Sequence, residues 1–76
     1  MNSNAIYKAI MREDYNYALK KLSQLDSAAE GPRNLTAYCF YKMKDYERAN
    51  EYYTALARSF PSEEYRRLAD ETAYYA

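Results

Sequence analysis

The chain contains no histidine and no tryptophan, one cysteine, one glycine and two prolines in 76 residues. Each shortage excludes something. A single cysteine, Cys39, cannot form an internal disulfide, and without histidine or a second cysteine no His/Cys zinc site can be assembled. Histidine is also the usual general acid–base, and one glycine cannot build a phosphate-cradling loop. An enzyme is therefore disfavoured, and neither a cofactor nor a metal is expected. Little glycine and proline leaves few tight turns, which argues against a β-sandwich or a small barrel. Charge of one sign is missing too. Eleven Lys and Arg balance eleven Asp and Glu, so the basic excess of a nucleic-acid binder is absent. No apolar run approaches the ~20 residues of a bilayer span, and no targeting segment is recognisable. A lone thiol in such a chain fits a reducing compartment, most simply the cytosol.

What is abundant is tyrosine: eleven, against two phenylalanines. A chain this short buries only about 60% of its unfolded surface, so its core needs a staple, a partner or very regular packing. The hydrophobic spacing supplies the regularity. Asn2, Ser3 and Asn4 offer capping oxygens before a first helix that carries Ile6, Ala9 and Ile10 on one face. After the polar break Arg12-Glu13-Asp14, the residues Tyr15, Ala18, Leu22, Leu25 and Ala29 form one stripe of a second helix. Gly31 suits a helix end and Pro32 the first turn of the next helix, which is expected from about Arg33 to Met43. Lys44-Asp45 breaks it. A fourth helix carries Tyr46, Ala49, Tyr53, Leu56 and Phe60, and Pro61 stops it. Ser62 caps a last helix, with Glu63 and Glu64 in its first turn and Tyr65, Leu68, Ala69, Thr72 and Ala73 on one face.

The second and fourth helices superpose at a shift of 31 residues: Tyr15 falls on Tyr46, Ala18 on Ala49, Leu22 on Tyr53 and Leu25 on Leu56. Asp14 falls on Asp45 and Tyr7 on Tyr38. A fixed period of helical hairpins reads as a solenoid. The expectation is an all-α, right-handed array: repeat 1 over about 3–29, repeat 2 over about 32–60 and a fifth, capping helix over about 62–75. Its core is expected at Ile6, Ala9, Ile10, Tyr15, Ala18, Leu22 and Leu25 in the first unit. The remainder is expected from Ala37, Phe40, Tyr46, Ala49, Tyr53, Leu56, Leu68 and Ala69. Cys39 reads as a small buried hydrophobe.

The second unit, Ala37-Tyr38-Cys39-Phe40-Tyr41-Lys42-Met43-Lys44-Asp45-Tyr46-Glu47-Arg48-Ala49-Asn50-Glu51-Tyr52-Tyr53 ending at Pro61, resembles a tetratricopeptide repeat. Ala37 and Ala49 stand where two helices of such a hairpin approach most closely. The first unit matches more loosely through Ala9, Asp14-Tyr15, Ala18, Leu22 and Leu25. Tyr65-x-x-Leu68-Ala69 is like the opening of a third repeat. Thr36 departs from the family's leucine. Spacings of about 31 and 32, shorter than the usual ~34, imply tight loops between repeats. A narrower resemblance is to the opening repeats of the intraflagellar-transport tetratricopeptide subunits. It is carried by Ile6-Tyr7, Tyr15, Ala18, Tyr38-Cys39-Phe40-Tyr41 and Pro61-x-x-x-Tyr65, and would add a ciliary location to the cytoplasmic one. The mitochondrial fission tetratricopeptide family is similar in style, without the membrane anchor usual there.

The resemblance implies a concave groove lined by the first helix of each unit and a protein or peptide partner held in it. Its groove positions fall on Ser3, Tyr7 and Met11, on Asn34, Tyr38, Tyr41 and Lys42, and on Arg66, Asp70 and Tyr74. Tyrosine suits such a surface, because it combines large area, few torsions and one polar tip. Of the two central tyrosines, Tyr41 is expected to face the groove more than Tyr38. Lys42 and Arg66 could pair an acidic ligand group. Ser3 and Tyr7 stand where a chaperone-type carboxylate clamp needs Lys and Asn, which argues against that ligand class. A second reading is self-association into a homo-oligomer or assembly into a larger complex, since solenoid ends expose apolar faces.

Overall fold

Two turns set the architecture. The computed structural model describes residues 3–76, in which five helices follow one another: α1 (Ser3–Met11), α2 (Tyr15–Leu22), α3 (Glu30–Lys42), α4 (Tyr46–Ser59) and α5 (Glu63–Tyr75). Asn2 and the Ser3 side chain, read from the sequence as a cap and a groove position, lie outside the described residues. The chain leaves α1 through Glu13 at φ 62° and leaves α3 through Lys44 at φ 64°, both in the left-handed region. The Asp14 N–H then donates to Ala9 O at 2.8 Å and the Glu13 N–H to Ile10 O at 2.9 Å. Thirty-one residues on, Asp45 donates to Phe40 O at 2.9 Å and Lys44 to Tyr41 O at 3.0 Å. This pair of bonds closes a helix end with a left-handed residue. Each aspartate next caps the following helix: Asp14 Oδ1 accepts from the Tyr17 N–H and Asp45 Oδ1 from the Arg48 N–H, both at 3.3 Å. The two hairpins thus repeat bond for bond at the 31-residue shift.

Small residues hold the helices close. Ala18, Ala37 and Ala49 have no exposed surface. Around them lie two clusters. Ile6, Ala9, Ala18, Leu22 and Cys39 form the first, with Leu35 packed against it. Ala37, Ala49, Tyr53, Leu56 and Tyr65 form the second, joined by Phe40, Tyr41 and Leu68. Helix α3 therefore serves both: Leu35 and Cys39 face the first hairpin, and Ala37, Phe40 and Tyr41 face α4 and α5. That sharing joins separate hairpins into one all-α array. Ile10, Tyr15, Leu25, Phe40, Tyr46, Leu68 and Ala69, expected in the core, are half-buried, while Tyr65 and Thr72 are buried. Thr72 keeps its hydroxyl satisfied by donating to Leu68 O at 2.7 Å.

Helix α5 is tied on at three places. Asn50 of α4 donates to Ala69 O at 2.8 Å and to Thr72 Oγ1 at 3.2 Å. The Tyr65 hydroxyl donates to Glu30 at 2.6 Å and the Tyr41 hydroxyl to Glu71 at 2.5 Å. These last two bonds join the start of α3 to the start of α5 and the end of α3 to the later part of α5, so the two helices run side by side and parallel. The outward side of α5 is charged. Arg67 pairs with Glu64 at 3.7 Å and with Glu71 at 3.5 Å. A polar outer face is what a capping helix needs.

Three local expectations change. Helix α2 stops at Leu22, so Leu25 and Ala29 continue the spacing outside any helix. Ser23 Oγ donates back to Lys20 O at 2.6 Å, and the Asp26 side chain accepts from the Ala28 N–H at 3.0 Å. Such local bonds offer the backbone an alternative to helix. The equivalent stretch of α4 is Thr54-Ala55-Leu56-Ala57-Arg58-Ser59, which stays helical. Second, the α2–α3 connection is long, Ser23–Ala29, whereas α4 and α5 are separated only by Phe60, Pro61 and Ser62. Third, α3 begins at Glu30, with Ala29 as its N-cap. Gly31 is not a terminating glycine and has no positive φ. Pro32 sits in the first turn, where its missing N–H has no partner to lose.

Candidate partner-binding face

The groove positions follow from helix register. On α1, Tyr7 and Met11 are four residues apart and share a face; on α3, so do Asn34, Tyr38 and Lys42; on α5, so do Arg66, Asp70 and Tyr74. Steps of 31 and 32 carry Tyr7 to Tyr38 to Asp70, and Met11 to Lys42 to Tyr74. These rows run across the first helices of the successive units. Their side chains point outward: Tyr7 is 52% exposed, Met11 83%, Tyr38 38% and Tyr74 83%. Lys42, Arg66 and Asp70 are exposed and Asn34 is half-buried. Tyr7, Met11, Tyr38 and Tyr74 thus stand free of the core along these rows, while Tyr17 and Met43 are exposed away from them.

Tyr41 does not belong to that surface, and the expected order of the two central tyrosines is reversed. Its ring meets Tyr46 edge-on at 5.9 Å, and its hydroxyl is spent on Glu71. That hydrogen bond, then burial, raises the phenol above its ordinary value. From Tyr41 a line of rings continues outward: Tyr46 lies 5.1 Å from Tyr75, and Tyr75 lies 5.4 Å from Tyr74. The rim of the face on α5 is thus an aromatic ladder rooted in α3.

Charge on the face is mixed. Lys42 has no acidic partner within ion-pair distance among the described residues, and the Arg66–Glu63 pair is long and solvated. Such a pair contributes little and leaves Arg66 free to reorient toward a ligand. The face is therefore apolar at α1, becomes cationic at Lys42 and Arg66, and has Asp70 beside them.

The remaining candidate groups have structural posts. Cys39 is fully buried, and burial pushes its thiol up to about 11, far from a reactive thiolate. Asp14 caps α2, and Glu63 and Glu64 lie in the first turn of α5. Among the described residues no group of three metal-ligating side chains occurs, and no helix is long and apolar enough to cross a membrane. Three polar residues that join the helices carried no signal in the sequence: Glu30, Asn50 and Glu71. Their partners lie 35, 19 and 30 residues away along the chain, and nothing in local spacing distinguishes them from solvated side chains.

Comparison with known proteins adds one direction. The chain is 33% identical over 73 residues to intraflagellar transport proteins 70A2, 70A1 and 70B of Mus musculus. The match covers 92% of this chain but 11% of each relative, so the chain spans about a ninth of their length. No family model matches the chain. No solved structure matches it either.

Proposed function

We propose that the chain is a tetratricopeptide-type interaction module, not an enzyme, that holds a peptide or helix of a partner protein against the face of α1, α3 and α5. It does so as part of an intraflagellar-transport assembly, in the cytoplasm and cilium. On this reading the first repeat takes residues 3–29, the second 32–60, and the closing helix 62–75. One observation carries the proposal. Tyr7 and Met11, then Tyr38 and Lys42, recur at the hairpin's own period and stand exposed, while their neighbours Ala9, Ala37 and Cys39 are buried. The similarity to intraflagellar transport proteins supports this class of assembly.

The test is recovery of the tagged chain from ciliated cells, with its partners identified by mass spectrometry. Tyr7→Ala and Lys42→Glu should each lose the same partner while circular dichroism and melting stay unchanged, and Arg58→Glu, on exposed α4 surface, should retain it. A partner indifferent to both face variants would sink the proposal. Self-association is the second reading. It is favoured by Tyr74 and Tyr75, 83% and 54% exposed at the end of the aromatic ladder, and opposed by the charged outer side of α5. Light scattering across concentration decides it: a constant monomer mass removes it.

A further inference from the structure

The two junctions between successive units are not packed alike. Where α5 meets α4, Tyr65 and Leu68 fill the contact against Tyr53 and Leu56. Thirty-two residues earlier, α3 has Arg33 in place of Tyr65 and Thr36 in place of Leu68. Helix α2, which should continue past them, has stopped at Leu22. The ring and the isobutyl group that close one junction are therefore missing from the other. A cleft of about 190 Å³ remains between α2, α3 and α4, with Leu19, Leu22, Pro32, Phe40 and Tyr52 on its walls. Phe40 and Tyr52 stack at 5.8 Å and give it a flat aromatic side.

Size and charge indicate what it takes. The volume lies below the ~300 Å³ where small-molecule sites begin, and suits one large side chain. At the rim, Arg33 Nε donates to Ser27 O at 3.0 Å, which fixes the guanidinium and leaves its terminal nitrogens free. Of the six arginines, Arg33 alone is not exposed, and among the described residues no acid pairs with it. A guanidinium held at the exposed rim of an apolar cleft is set up for bidentate carboxylate recognition.

We propose that this cleft docks a partner-protein segment bearing an aromatic side chain next to an aspartate or glutamate. The ring takes the place that Tyr65 occupies at the other junction, and the carboxylate pairs with Arg33. The surface involves α2 and α4 and is separate from the tyrosine face above.

The probe is the blocked dipeptide acetyl-Asp-Phe-amide, titrated into the ¹⁵N-labelled protein and followed by amide shifts. Saturable millimolar binding that moves Leu22, Ser27, Arg33, Thr36 and Tyr52 is expected, weakened at least about fivefold for acetyl-Asn-Phe-amide. Arg33→Gln should lose the Asp-over-Asn preference while still binding the ring. Thr36→Leu restores the missing leucine, so it should raise the melting temperature and abolish the shifts; if it fails to fold, the Arg33→Gln comparison decides alone. Absent shifts, shifts on Tyr38 and Lys42 instead, or equal binding of both dipeptides would overturn the proposal. So would cleft shifts that follow protein concentration without peptide, since a second copy would then be the occupant.

Discussion

At the scale of single residues, the tyrosines divide by what their hydroxyls do. Tyr7, Tyr38 and Tyr74 are exposed and make no side-chain hydrogen bond among the described residues, whereas Tyr41 and Tyr65 donate to carboxylates across the α3–α5 contact. Burial, then the bond to Glu30, pushes the Tyr65 phenol up to about 12. An unfolded tyrosine titrates near ~10. The folded value is the higher one, so the contribution is complete below that pH and is lost as pH rises toward 12. Urea unfolding at stepped pH should show stability falling across this window. Tyr65→Phe should be less stable by about 1 kcal/mol at neutral pH and should fall less steeply in alkali. Equal stability at neutral pH would show that the Glu30 bond contributes nothing, and parallel curves in alkali would show that the phenol is not raised. The sequence placed Tyr65 on one helical face with Leu68 and Ala69 but left it out of the expected core, where the structure buries it. Glu30 was missed, because an acid at a helix start looks the same whether it faces water or a distant phenol.

At the scale of elements, the hairpin turn is where sequence and structure agree most closely. Asp14 and Asp45 marked it as polar breaks recurring at the 31-residue shift, a local signal that needs no tertiary context, and the structure adds that each caps the next helix. The end of α2 was not legible in the same way. Leu25 and Ala29 keep the helical period, and only Ser23 and Asp26, through bonds to nearby backbone, make the chain leave the helix first. Periodicity thus reported which residues face the core, and Leu25 still packs there, without reporting that they belong to one helix. The turn also contains a testable strain. Lys44 takes a left-handed conformation at φ 64°, which costs an L-residue about 1–2 kcal/mol and glycine very little. Lys44→Gly should therefore raise stability by about 0.5–1 kcal/mol, part of the relief being offset by the greater freedom of glycine in the unfolded chain. Lys44→Ala should give no such gain, because its Cβ remains. Thermal melts of the pair check it: equal gains would locate the effect in the lysine side chain instead of the backbone.

At the scale of the whole molecule, the array is unevenly held. Helices α1 and α2 have nine and eight residues, below the ~12 at which an isolated helix begins to persist. Helices α4 and α5 have fourteen and thirteen. Among the described residues, every side-chain hydrogen bond between different helices joins α3, α4 or α5 to another of these three. The first hairpin relies on apolar packing, Ile6, Ala9, Ala18, Leu22 and Cys39 with Ile10, Tyr15, Leu19, Leu25 and Leu35 against them, and the cleft at Arg33 and Thr36 thins its contact with the rest. In a solenoid, stability is a sum of unit and neighbour terms, so the weaker end opens first. Amide exchange under native conditions should therefore be at least about tenfold faster for the inner amides of α1 and α2 than for those of α4 and α5. The open form keeps α3, α4 and α5 together through Asn50, Tyr41 and Tyr65. Tyr7 and Met11 would then be the part of the tyrosine face that moves, and a partner gripping them would slow exchange in the first hairpin more than elsewhere. Uniform protection across all five helices would mean that Leu35 and Cys39 alone couple the hairpins into one cooperative unit.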